Sequence, residues 1–154
     1  MAKKSKPTIL LVDDDAELVR KAETELEKKF NVVCLFSPYE AIAFLKNAEK
    51  KPDVIMTDCF MPAEKKGMAD KEKWDGEEIP AGLIVALLAL KLDVQKIIIC
   101  SDMCHHEHPI AWLMDSILGA GRICCGYECE EIMLDPKKGP DYFKSYTKTL
   151  EKFS

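Results

Sequence analysis

The chain has 154 residues, 47% of them hydrophobic, which suits one domain with an ordinary core and leaves too little for two. Apolar residues gathered in compact runs exclude a disordered chain. With 22 basic against 27 acidic residues the formal charge is −5, which argues against direct nucleic-acid binding, since that needs a basic footprint. The longest apolar run, Ala81 to Leu90, is ten residues and too short to span a bilayer. The basic start, Met1 to Pro7, lacks the apolar stretch of a signal peptide. Seven cysteines, an odd number without framework spacing, read as reduced thiols of a cytoplasmic protein.

In chain order, Thr8-Ile-Leu-Leu-Val12 is a continuous apolar run, the pattern of a strand buried on both faces. Leu18, Ala22, Leu26 and Phe30 then recur every four residues and predict a helix over 17–30. Asn31 to Leu35 is a second strand. Ser37-Pro38 with Glu40 is a capped helix start, and that helix is expected to end near Lys50. Asp53 to Thr57 and Ile97 to Ser101 repeat the apolar-run pattern, and Arg122 to Gly126 is a weaker fifth strand. Residues 63–78, rich in Lys, Glu, Asp and Gly and carrying Trp74, lengthen the connection after the third strand beyond the usual few residues. Pro80 to Leu90 predicts a helix with no polar face. Its outer stripe needs cover, either from the preceding insertion or from a second copy of the chain. Asp141 to Phe153 reads as a closing helix with Phe143, Tyr146 and Leu150 on one side. The alternation of strand and helix calls for a parallel sheet with helices on both faces, in a single domain over 1–154 with an insertion at about 63–78.

Ligands of such sheets sit beyond the carboxyl ends of the strands, where the strand order reverses. The first strand runs into Asp13-Asp14-Asp15, the third into Asp58 and the fourth into Ser101-Asp102. Asp15, just before a helix, reads as its N-cap. Asp13, Asp14 and Asp58 read differently: clustered carboxylates repel one another and are stabilised by a hard cation such as Mg²⁺.

Ile9-Leu-Leu-Val-Asp-Asp-Asp15, Pro52-Asp-Val-Ile-Met-Thr-Asp-Cys-Phe-Met-Pro62 and Lys96-Ile-Ile-Ile-Cys-Ser101 resemble three blocks of the response-regulator receiver domain of two-component signalling. The resemblance implies a flavodoxin-like, doubly wound, five-stranded parallel sheet of order 2-1-3-4-5, the family's own order. By position it implies Asp58 as phosphoacceptor and Asp13 and Asp14 as the acidic pair supporting Mg²⁺. Asp14, Asp58 and the Phe60 backbone carbonyl are then the direct ligands, and Ser101 is the switch hydroxyl. It also implies a histidine kinase or phosphotransfer protein as donor and a downstream protein as target. Two positions depart from the pattern. The stretch Gly119 to Tyr127 has no Lys where the family binds the phosphoryl group. Gly126 falls there, and Lys137 or Lys138 substitutes only if ten intervening residues loop out. Ile123 falls near the place of the switch aromatic. A degenerate receiver acting as a binding module therefore stands as an alternative. With the closing helix running to Ser154, no room is expected for an output domain, so the output is expected to be a change of surface.

A rival from another class is a phosphohydrolase similar to the haloacid dehalogenase superfamily, with Asp13 as nucleophile and Asp15 as acid/base. Glu17, the helix that begins at once after the first strand, and the unexplained Asp-x-x-Met-Pro block weigh against it. Cys104, His105, His106 and His108 are metal-ligating types in one loop, but neighbouring side chains point apart and nothing elsewhere completes a site. Cys124, Cys125 and Cys129 read as small hydrophobes, whereas Cys59, next to Asp58, is expected to be redox-sensitive only where it is exposed.

Overall fold

The computed structural model describes residues 6–63 and 76–100, the backbone of 123–126, 129–132 and 141–144, and Leu150. Strands β1 (Thr8–Val12), β2 (Asn31–Leu35), β3 (Val54–Asp58) and β6 (Lys96–Cys100) form a parallel sheet in the order β2-β1-β3-β6. Between β3 and β6 lie the short strands β4 (Met61–Pro62) and β5 (Glu78–Ile79), and the backbone of β7 (Ile123–Gly126) runs parallel beside β6. The helices are α1 (Ala16–Leu26), α2 (Pro38–Asn47) and α3 (Ala81–Lys91). Among the described residues, no helix is long and apolar enough to cross a membrane.

The apolar runs form strands because both faces of the sheet are covered. Successive residues point to opposite faces, and the core divides accordingly. Leu10, Val12, Ile55, Ile97 and Ile99 pack with Leu45 of α2 and with Val85, Ala86 and Ala89 of α3. Ile9, Leu11, Val54, Met56, Ile98 and Cys100 pack on the other face with Val19, Ala22 and Leu26 of α1 and with Leu150. The sheet is thus doubly wound about β1. The chain steps from β1 outward to β2, then crosses back to β3 on the other side, which puts the reversal between β1 and β3.

Local chemistry sets the helix limits. Asp15 caps α1 as expected, its Oδ1 accepting from the amides of Glu17 and Leu18 at 2.9 and 3.0 Å. The helix stops at Leu26 rather than Phe30. The backbone amide of Asn31 donates to the Pro7 carbonyl and its side chain to that of Lys6, drawing the chain into β2. Val19, not Leu18, is fully buried in the α1 stripe. Ser37 caps α2 through the Tyr39 amide, with Pro38 in the first turn. α2 ends at Asn47, where Lys51 reaches the carbonyls of Leu45 and Ala48. α3 closes with Asp93 in the left-handed region (φ 60°). The amides of Val94 and Asp93 return to Ala89 and Leu90 at 3.1 Å each, a Schellman ending in which Asp stands where Gly is usual.

Two expectations change. The third and fourth predicted strands each sit one residue out of place. Asp53 lies before β3, its carboxylate taking the Thr8 amide at 2.7 Å, and β6 begins at Lys96. Asp141–Lys144, read as the start of a closing helix, is instead a strand (β9) paired antiparallel with Cys129–Ile132 (β8). Pairing with another strand overrides a helical spacing there. Leu150 is helical and buried against the α1 face, as that reading required of it. The residues flanking the insertion pair as a short ribbon. β4 pairs antiparallel with β5, and the amides of Ala63 and Gly76 extend the ladder to Glu77 and Ala63. Trp74 lies outside the described residues.

Candidate functional site

The reversal between β1 and β3 brings the residues after β1 and the end of β3 to one rim. Carboxylate oxygens of Asp13, Asp14 and Asp58 all lie within 4.8 Å of one another. Strand alternation gives the three different surroundings. Asp13 and Asp58 are buried, at 1% and 7% exposure, whereas Asp14 faces solvent. Asp13 is fastened at both ends: its amide donates to the Leu35 carbonyl at 3.2 Å and its Oδ1 accepts the Asp15 amide at 2.8 Å. Asp58 Oδ1 accepts the amide of Cys59 at 2.6 Å, and that amide also faces the Cys100 carbonyl at 3.1 Å.

Such a cluster is electrostatically unfavourable alone. Two ionised carboxylates at that separation repel by roughly 3 kcal/mol at an effective dielectric constant of about 20. A hard divalent cation reverses the sign. Oxygens around an octahedral ion with bonds of about 2.1 Å lie about 3 Å apart when adjacent and about 4.2 Å apart when opposite. The spread of the three aspartates accommodates that, and the donors, all carboxylate oxygens, suit Mg²⁺ rather than a softer metal.

Of the other residues anticipated, Phe60 lies two beyond Asp58 with its side chain in the core. Ser101, Lys137, Lys138 and the Cys104–His108 loop lie outside the described residues. Gly126 ends β7 in register with Cys100. Cys59, beside Asp58, is 1% exposed and belongs to the core. Asp15, which the hydrolase alternative needs as acid/base, is engaged as the cap of α1.

Nothing in the strand pattern singles out Thr57 or Gly82, yet both touch Asp58. The Thr57 hydroxyl donates to the Asp58 backbone carbonyl at 3.0 Å, and the backbone of Gly82 lies directly against that same carbonyl. A glycine in the first turn of an otherwise wholly apolar helix was the available signal. It weakens a helix by up to about 1 kcal/mol and so marks a close approach.

A doubly wound parallel sheet with this order is the architecture of response-regulator receiver domains, and the chain has that fold. It matches a response regulator receiver domain from Methanospirillum hungatei JF-1 with a TM-score of 0.55 and 16% identity, over 97% of this chain and 91% of that one. A receiver protein from Sinorhizobium medicae WSM419 matches with a TM-score of 0.54 and 24% identity, over 80% and 84%. The receiver domain of a LuxO-type repressor protein from Vibrio parahaemolyticus matches at 0.52 and 16%, over 78% of each chain. No protein-family model and no curated protein matches the sequence.

Proposed function

We propose that the protein is a signal-transduction receiver that accepts a phosphoryl group on Asp58, with Mg²⁺ held by Asp13, Asp14, Asp58 and the Phe60 carbonyl. The observation that carries this is the convergence of three carboxylates, 44 residues apart between Asp14 and Asp58, at the switch point of a receiver-type sheet. In this reading an Asp58 carboxylate oxygen attacks the phosphorus of a phosphohistidine on a histidine kinase or phosphotransfer protein. The P–N bond breaks and the imidazole leaves with its electron pair. Bound Mg²⁺ would supply charge neutralisation for the phosphoryl oxygens. The chain's own part is positioning: buried Asp13, tied to β2 and to the Asp15 amide, fixes the rim against which Asp58 works.

The reading extends to the whole chain as one domain, with β7 as the fifth strand of the sheet, Ser101 as the switch hydroxyl and Lys138 as the phosphate-binding cation. It places the protein in the cytoplasm, with output through a downstream protein. α3 is the proposed contact surface for a second copy, since Ile84, Leu87 and Leu90 are 56%, 58% and 39% exposed on one stripe. The degenerate receiver is the second reading. The observation favouring it is that β7 ends, level with Cys100, in a glycine.

Intact mass after incubation with Mg²⁺ and acetyl phosphate separates the readings. A gain of one phosphoryl group that is absent in Asp58→Ala supports the receiver. No gain under saturating donor supports the degenerate module. Turnover of a phosphate ester that is lost in Asp13→Ala but kept in Asp58→Ala supports the hydrolase.

A further inference from the structure

The backbone of α3 approaches Asp58 more closely than any side chain permits. A Cβ on Gly82 would fall 1.8 Å from the Asp58 carbonyl oxygen, 2.8 Å from its carbonyl carbon and 3.0 Å from the Cys59 Cα. All three are backbone atoms, so no rotamer change relieves the clash, and the gap between helix and strand would have to open by more than an ångström. The approach is bonded as well as tight, because the Gly82 amide donates to the Cys59 carbonyl at 3.0 Å. The same Asp58 carbonyl also accepts the hydroxyl of fully buried Thr57 at 3.0 Å. The carboxylate is tied to the same peptide plane through the Cys59 amide on Oδ1. Displacing that plane therefore displaces the carboxylate.

We infer that Thr57 and Gly82 are positioning residues that clamp the Asp58–Cys59 peptide and thereby aim the Asp58 carboxylate at the oxygens of Asp13 and Asp14. This rests on Asp58 being a cation ligand, and goes beyond it by assigning the aim to two residues that offer no ligand. The cation site is then built by β1, β3 and the first turn of α3 together. Misplacement by an ångström is costly in sites of this kind.

The test is titration of the full-length protein with Mn²⁺, the free ion being followed by electron paramagnetic resonance. Wild type is expected to take up one ion, Gly82→Ala to bind about tenfold or more weakly, and Thr57→Val about threefold more weakly. The control is Ala89→Gly, which loosens α3 two turns from the contact and is expected to keep wild-type affinity. If Gly82→Ala and Thr57→Val fold cooperatively and bind as wild type does, the inference is overturned. It is equally overturned if Ala89→Gly weakens binding as much, since the helix then matters only as packing. Should Gly82→Ala fail to fold, Thr57→Val decides alone, wild-type affinity counting against the clamp. A wild-type protein that takes up no Mn²⁺ overturns the reading of Asp58 itself, a result distinct from equal binding by wild type and variants.

Discussion

Cys34 shows how one neighbourhood sets a residue's chemistry. It lies on β2, half-buried, with Glu23 and Glu27 close by. Burial first, then the charge of Glu23 and a hydrogen bond to it, push its thiol from the ordinary 9.0 up to about 12. At pH 8 an ordinary cysteine is roughly one-tenth thiolate and this one roughly one ten-thousandth. Alkylation by iodoacetamide at that pH should be about a hundredfold or more slower in the folded protein than in urea. Glu23→Gln should recover only a few-fold, because burial is the larger cause; full recovery would reverse that ranking. The raised value also fixes a sign. The folded state holds this proton more tightly than the unfolded chain, so its contribution to stability is fully present below about pH 9 and is lost as pH rises toward 12. At the same scale, Asp13, Asp14 and Asp58 were legible because each interrupts or ends an apolar run. Thr57 and Gly82 were not, because a buried hydroxyl and a missing side chain leave no periodic trace; only their surroundings give them meaning.

Among the elements, α3 departs furthest from an ordinary surface helix. Val85, Ala86 and Ala89 face the sheet, while Ile84, Leu87 and Leu90 form a second apolar stripe on the outside. The proposed pairing of this stripe with that of a second copy predicts sedimentation as a dimer at micromolar concentration. Leu87→Glu, which puts a charge in the middle of the stripe, should give a folded monomer whose Tm no longer rises with protein concentration. A monomeric wild type would remove α3 from that role. The main strands were readable from sequence because two-sided burial writes an uninterrupted apolar run. The helix starts at Asp15 and Ser37 were readable because capping chemistry is local. The ribbon of β4 and β5, two residues to a strand, is too short to write any pattern. Asp141–Lys144 misleads for another reason: its partner strand is Cys129–Ile132, and the spacing within a segment does not record which strand it pairs with.

At the scale of the whole molecule, the winding of the sheet turns four scattered strand ends into one rim, and like charges collect there at a cost to stability. Binding of a cation to the folded state alone should therefore register as stability. At about 100 times Kd, Mg²⁺ contributes about 2.7 kcal/mol, which for a chain of this size raises Tm by about 5–10 °C. Differential scanning fluorimetry should show that rise in wild type and none in Asp58→Asn. In chelator, Asp58→Asn should melt above wild type, because one member of the repelling set has been neutralised. An Mg²⁺ response that survives Asp58→Asn would place the ion elsewhere.

Helix α3 has its first turn seated on the Asp58 peptide and its flank open to solvent along Ile84, Leu87 and Leu90. Free energies around a thermodynamic cycle sum to zero, so anything that grips the flank and thereby shifts Gly82 against that peptide must alter the hold on a cation. The cation must alter the grip by the same factor in return. In that reading a rod of eleven residues joins the charge state of the interior to whatever touches its side.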